Sequence, residues 1–348
     1  MLSLEPESTE QKLGATSAIL GTMLLLAGID EAGYGPTLGP LCVGMSVFRI
    51  HNWKRGDPAP DLWQLLSKAV CKKPSDAKGR IPIADSKQLK LSNDSKTRHP
   101  LIHLERGILS FLRWLDHTPT TDADLFQLLG AELHDTAPWY SGDPIAIPLG
   151  QTAGELSIVS AKLLAAMESA GIELVSLHTH IIPEPEFNQI VQRTGSKAEA
   201  TAAAFGHHLR RLAANSDAHS SIRLVCDQLG GRTTYEGLIA RELVGSEVTA
   251  LTESGDRSRY NVRRGHESED FIIQFMPEAE SAHLPVALAS MVAKLTRELA
   301  MHRFNRYWCG RHPELKPTAG YATDARRWLN EMRDFLDPKD RKELVRLT

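Results

Sequence analysis

Cysteine is scarce. Cys42, Cys71, Cys226 and Cys309 are the only four in 348 residues, scattered and without a CxxC pair. That excludes a disulfide framework and a structural zinc knuckle, and it points to a reducing compartment. Long apolar runs are missing as well: the stretch from about Ile19 to Ile29 is too short to span a bilayer and ends in two carboxylates. The opening MLSLEPESTEQKLG places acids where a secretory signal places basic residues. A cytoplasmic, non-membrane protein is the expectation. Strong positive charge is absent too, and a net charge of −3 argues against an indiscriminate electrostatic grip on nucleic acid. The 14 histidines contain no HExxH, His207 and His208 are adjacent and so cannot be ligands on one helix face, and His178 and His180 lie in an apparent strand. AGELS (153–157) is not a serine-hydrolase elbow.

What is present is the balance of a globular protein, 42% hydrophobic and 24% charged, with material for a buried core. Residues 1–15 read as disordered. LLLAGID (24–30) and LCVGMSVFRI (41–50) read as strands, and the glycines and prolines of EAGYGPTLGP between them predict a hairpin. A loop over 51–61 leads to a short helix-like segment at 62–71. Helices are expected at 101–115, beyond a cap at Thr121 or Asp122, and at about 155–170, 196–214, 284–308 and 324–337. Further strands are expected at 173–182, 222–228, 247–253 and 271–280. Leu288, Val292, Leu295 and Leu299 recur at helical spacing and make 284–308 the clearest helix. Strands and helices mixed in this order predict α/β layers. Residues 95–150 read as a mainly helical insertion of unknown role between two parts of one domain, 22–94 and 151–340.

Asp30 and Glu31 directly follow an apolar strand. Neighbours on a strand face opposite sides, so both acids cannot enter one core. An unpaired buried carboxylate is costly, and a divalent cation would compensate it. A dinucleotide loop fails here: Gly33, Gly35 and Gly39 are spaced one residue too long, no helix follows, and two carboxylates would face the pyrophosphate. Taken alone, the pair reads equally well as an acidic hairpin turn.

Other segments change those odds. GIDEAGYGPTLGPLCVG resembles the opening motif of ribonuclease HII, an Asp-Glu pair followed by a Gly-x-Gly-Pro turn. Asp85-Ser86-Lys87 resembles the DSK signature of that family, and Asp227 its third acidic position. ALASMVAKLTREL (287–299) resembles its AASxxAKxxRD helix, and AGYAT (319–323) its GYGT segment. The matches run in the family order from residue 24 to about 330, with 95–150 outside them. The resemblance, to a divergent member, implies a ribonuclease H-like fold: a mixed central β-sheet flanked by helices, with carboxylates converging at its centre.

The resemblance also implies roles. Asp30, Glu31 and Asp227 would be metal-binding catalytic carboxylates. Glu280 would be the fourth, standing where the family has aspartate, with Glu278 the alternative if the alignment slips by two. Two Mg2+ or Mn2+ ions held by oxygen ligands suit phosphodiester hydrolysis. Gly33, Tyr34, Gly35 and Tyr321 would contact the ribonucleotide. Tyr34 replaces the family arginine, which removes a phosphate-binding fork and supplies a stacking face. Lys87 would touch phosphate while Asp85 and Ser86 fix its loop. Ser290, Lys294 and Arg297 fall at i, i+4 and i+7, either a stripe facing substrate phosphates or an ordinary wet helix face. Residues 291–348 carry 13 Lys/Arg against 8 Asp/Glu, a solvated surface or, beside such a site, a substrate track. The implied activity is that of a metal-dependent endoribonuclease on the RNA strand or embedded ribonucleotides of RNA–DNA hybrids. Its products would be 5′-phosphate and 3′-hydroxyl ends, its partner nucleic acid, and its state monomeric. The alternatives are a catalytically weakened nucleic-acid-binding module and a structure-specific DNA nuclease.

Overall fold

The structure, a computed structural model, describes residues 23–133, 137–215, 221–264 and 270–347. The segment 1–15, expected to be disordered, lies outside the described residues. The chain opens with β1 (Leu24–Ala32) and β2 (Leu41–Ile50), which pair antiparallel as the hairpin expected. Short elements follow: α1 (Leu62–Leu65), β3 (Val70–Cys71), β4 (Ile81–Pro82) and α2 (Ser86–Leu89). Then come α3 (Ile102–Leu112), α4 (Asp122–Leu129), α5 (Ala153–Ala170), β5 (Ile172–Ile182), α6 (Glu184–Thr194) and α7 (Ala198–Ala214). The second half holds β6 (Ser221–Asp227), α8 (Glu236–Glu242), β7 (Ser246–Glu253), β8 (Ser258–Arg264) and β9 (Phe271–Met276). Four helices complete it: α9 (Ala279–Ala282), α10 (Leu284–Arg311), α11 (Ala322–Glu331) and α12 (Pro338–Leu344).

Seven strands form one mixed sheet in the order β5-β2-β1-β6-β9-β8-β7. β1, β6 and β9 run parallel at its middle, and the flanking pairs are antiparallel. Strand alternation divides the apolar residues between two helical layers. Leu24 and Leu26 join one core with α3, α5 and α10, while Leu25, Ala27 and Ile29 join the other with α7 and α8. The expected α/β arrangement, a mixed sheet between helices, is what the chain adopts.

α10 lies almost on the backbone of β1 and β2. A Cβ at Gly28 would stand 2.3 Å from Val286 N, and one at Gly44 would stand 2.2 Å from Ala289 O. Only glycine permits that approach. It sets Ser290 down beside the end of β1, and it buries the helix over 284–297.

Other boundaries moved for local reasons. The strand expected over 271–280 ends at Met276, because Glu278 adopts a left-handed conformation (φ 53°) that turns the chain into α9. The helix expected over 324–337 ends at Glu331, and a separate helix, not anticipated, starts at Pro338, where Asp337 caps it by accepting from Lys339 N–H. The expected segment 62–71 is helical only over Leu62–Leu65. α6, α8 and β8 were not anticipated. Thr121 does cap α4, through a capping box with Asp124. Residues 95–150 pack onto the sheet: Leu104, Ile108 and Phe111 share a core with Leu24 and Leu288. Asp122 accepts two charge-assisted bonds from Arg303 of α10, one of them 2.8 Å, with both side chains buried. No helix among the described residues is long and apolar enough to cross a membrane.

Candidate active site

Parallel pairing of Ile29 with Cys226 carries Asp30 and Asp227 to the adjoining ends of the two central strands. Alternation turns both to one face: Asp30 follows Leu24 and Leu26, and Asp227 follows Val225, which packs with Ala279 and Val286. Glu31 is the next residue along β1, half-buried, and Glu280 arrives from α9, also half-buried.

The electrostatics show how close these acids are. Burial, followed by Glu31 and Asp227, raises the Asp30 carboxyl well above its ordinary value, against a bond from Ser290. Burial, then the charge of Asp227, pushes Glu31 up to about 7, with Glu280 adding to the rise and Lys87 opposing it. Asp227 is raised by burial while the backbone amides of Gln228, Ala279 and Glu278 hold it down. Glu280 is raised by burial, Asp227 and Asp85. Asp227 presses Asp30, Glu31 and Glu280 upward and is itself raised by burial, which makes a region that favours protons or cations.

Asp227 Oδ1 and Glu280 Oε2 are buried and have no hydrogen-bond partner among the described residues. A buried acceptor without a donor is expensive, and a hard divalent cation is the group that an all-oxygen set would accept. The residues therefore fit such an ion. Among the described residues, no three His, Cys, Asp or Glu side chains are drawn together closely enough to hold one as they stand. The acids converge as a cluster of like charges, not as a closed coordination shell.

Around this cluster the remaining expected residues divide. Asp85 caps α2 by accepting from Lys87 N–H at 3.0 Å. Ser86 is buried, and its hydroxyl shares a 2.9 Å hydrogen bond with that of Ser290, fastening the 85–87 turn to α10. Exposed Lys87 lies within the field of Asp85, Asp30, Glu280 and Glu31, which together outweigh burial and raise its pKa. Lys294 turns to Glu298 at 2.8 Å and lies 5.6 Å above the ring of Tyr321, which is 45% exposed. The wet-face reading of the 290–297 stripe is corrected: Ser290, Lys294 and Arg297 are 2%, 6% and 0% exposed. Arg297 runs beneath the glycine turn and donates to the carbonyls of Leu38 and Ala319, both at 3.2 Å. Gly33 (φ 94°) sits on it, where a Cβ would come 2.6 Å from its Nε. Gly35 is exposed and faces open space. Tyr34 feels the charge of Glu31 and reaches with its hydroxyl toward Gly230, with Lys197 Nζ 5.1 Å above its ring. Glu278, the alternative fourth acid, is exposed on the left-handed turn.

Sequence reasoning missed the support beneath the turn. Glu184, fully buried, accepts from Gly39 N–H at 3.2 Å and from Tyr140 hydroxyl at 2.8 Å. Arg346 donates to the carbonyls of Gly33 and Tyr34. The surplus of basic residues in 291–348 pointed at the neighbourhood of Arg346, but nothing in the sequence singled it out.

No sequence-family profile matches the chain. No curated protein matches it. Among solved structures it is similar to ribonuclease H2 from Pyrococcus horikoshii OT3, at 17% identity over 92% of each chain and a TM-score of 0.42. It is also similar to the Archaeoglobus fulgidus RNase HII solved in complex with PCNA, at 13% identity, 93% of this chain and 94% of that one, and a TM-score of 0.39. A third is Bst-RNase HIII in complex with Mn2+, at 15% identity, 99% of this chain and 73% of that one, and a TM-score of 0.40. These are distant likenesses, and the carboxylate cluster stands on its own geometry.

Proposed function

We propose that this chain is a divalent-metal-dependent endonuclease that hydrolyses the RNA strand, or embedded ribonucleotides, of RNA–DNA hybrids. One observation carries the reading: Asp30, Glu31 and Asp227 at the ends of central parallel strands lie in one electrostatic cluster with Glu280 of α9, and among the described residues Asp227 Oδ1 and Glu280 Oε2 are buried without a partner.

Asp30, Asp227 and Glu280 would hold Mg2+ or Mn2+, with Glu31 alongside. Bound there, two such ions would supply positive charge to the phosphate oxygens and acidity to a water. The chain's own groups do the rest. Ser290 fixes the Asp30 carboxylate through its hydrogen bond and locks the 85–87 turn. Lys87, exposed over the cluster, supplies a cation to an incoming phosphate. Before a cation binds, Glu31, raised to about 7, holds a proton near neutral pH, so cation binding would compete with that proton. Tyr321 and Tyr34 would offer aromatic faces to sugar or base, and the open space at Gly35 would let a substrate strand come close to the backbone.

The test is cleavage of end-labelled duplexes: a long RNA–DNA hybrid, a DNA duplex with one embedded ribonucleotide, and an all-DNA control. Cleavage of the first or second with Mg2+ or Mn2+, abolished by chelator and by Asp30→Asn, is the expected result. Cleavage of the DNA control alone would move the chain to a different nuclease class. Cation-independent cleavage, or none on any substrate by folded protein, would refute the reading.

A further inference from the structure

Two buried guanidinium groups lie under the turn that carries Gly33, Tyr34 and Gly35. Arg297 supports it from α10, as described above. Arg346 reaches it from the chain just beyond α12. Its Nη1 donates to Gly33 O, its Nη2 donates to Tyr34 O at 3.1 Å, and its own N–H donates to Thr37 O at 2.9 Å. The guanidinium is stacked 3.8 Å from the centre of the Phe187 ring. The strand of chain bearing it is latched by Asn188 of α6, whose amide donates to Val345 O at 2.9 Å and accepts from Leu347 N–H at 2.8 Å. Burial and the neighbouring charge of Arg297 press its pKa down to about 10, so it stays charged at neutral pH.

A trans peptide unit sets its carbonyl and the following N–H on opposite sides. Holding the carbonyls of Gly33 and Tyr34 from below therefore turns the N–H groups of Tyr34 and Gly35 away from Arg346. Neither N–H has a partner among the described residues. Gly35 faces open space, and Tyr34 lies within the field of Glu31. Successive backbone donors pointing the same way form an oxygen-binding edge.

We infer that Arg346 is a positioning residue: its two-pronged grip fixes these peptide planes so that two adjacent amide donors meet a sugar or phosphate oxygen of the substrate strand beside the carboxylates. The inference rests on reading that cluster as a nuclease site. It requires arginine in particular, since a lysine keeps the charge but cannot bridge two carbonyls in one plane.

The experiment compares wild type, Arg346→Lys and Arg346→Ala on a DNA duplex with one embedded ribonucleotide, measuring KM and kcat separately, with Mn2+ calorimetry and thermal melting on each. Arg346→Lys should fold and bind Mn2+ as wild type does while KM rises by about tenfold or more, the loss expected when one good hydrogen bond is misplaced. A residue that merely supports the fold would lower melting temperature and Mn2+ binding together and leave KM alone. Should Arg346→Ala fail to fold, Arg346→Lys decides. A folded Arg346→Lys protein with KM within twofold of wild type overturns the inference. Absence of cleavage by wild type would instead sink the nuclease reading. In that case anisotropy with the same labelled duplex reads the turn, and equal affinities of wild type and Arg346→Lys would overturn the positioning role.

Discussion

At neutral pH, Asp30→Asn should make the cation-free protein more stable while removing its response to Mn2+. The Glu31 carboxyl rises from 4.5 to about 7 through burial and the charge of Asp227. A group whose folded pKa is raised gives stability that is fully present below about 4.5 and lost as pH rises through about 7. Each unit is worth about 1.4 kcal/mol, so Glu31 alone withdraws up to about 3 kcal/mol. Asp30 is shifted in the same direction by burial, Glu31 and Asp227. For a chain of this size about 1 kcal/mol moves the melting temperature by roughly 2 °C. Taken alone, these carboxyls would cost wild type without cation several degrees between pH 5 and 8. The buried histidines His178, His180 and His208, held at about 4, 4 and 3, act in the opposite sense below pH 6.5. The difference between wild type and variant isolates the cluster. Asn at 30 removes the titration of the strongly raised Asp30 itself, so the variant should lose markedly less. Mn2+ at about 100 times its dissociation constant should return roughly 2.7 kcal/mol to wild type and little to the variant. Scanning fluorimetry at both pH values, with Mn2+ or with chelator, reads all of this. Equal pH dependence in the two proteins would refute the idea of mutually repelling acids.

The other expectations follow from the same contacts. Glu280→Ala should weaken Mn2+ binding by calorimetry on the order of tenfold, about 1.4 kcal/mol, while Glu280→Asp keeps most of it. Lys87→Ala removes a charge that holds Glu31 down, so the acid limb of the pH–rate profile should move upward and KM for the duplex should rise. Asp122→Ala strands buried Arg303 and should cost about 3–5 kcal/mol in urea unfolding with Mn2+ affinity unchanged.

The sequence made the centre of the molecule readable because its signals there are short-range. β1, β2 and β6 announce themselves by aliphatic runs, and the acids stand at the ends of those runs where alternation predicts their facing. The two glycines that seat α10 on the sheet could not be read that way, because close approach of a helix is a tertiary event. For the same reason the polar residues of α10 read equally well as a wet face: burial of Ser290, Lys294 and Arg297 depends on partners elsewhere in the chain, Ser86, Tyr321 and the carbonyls of Leu38 and Ala319. β8 escaped notice because SRYNVRR is polar, with only Ser258, Tyr260 and Val262 buried. α6 escaped because EPEF reads as a break, although proline in a first turn is compatible with a helix start. Glu280 was found by its place before a recognisable helix, whereas Arg346 and Glu184 hold the glycine turn through contacts that no local pattern encodes.

The account stands or falls on whether Asp30, Asp227 and Glu280 take up a divalent cation together. A crystal soaked in Mn2+ and measured at the manganese edge tests this directly. One or two anomalous peaks bounded by those carboxylate oxygens are the predicted result, and a map with no peak there, in crystals that carry Mn2+ elsewhere, would contradict it.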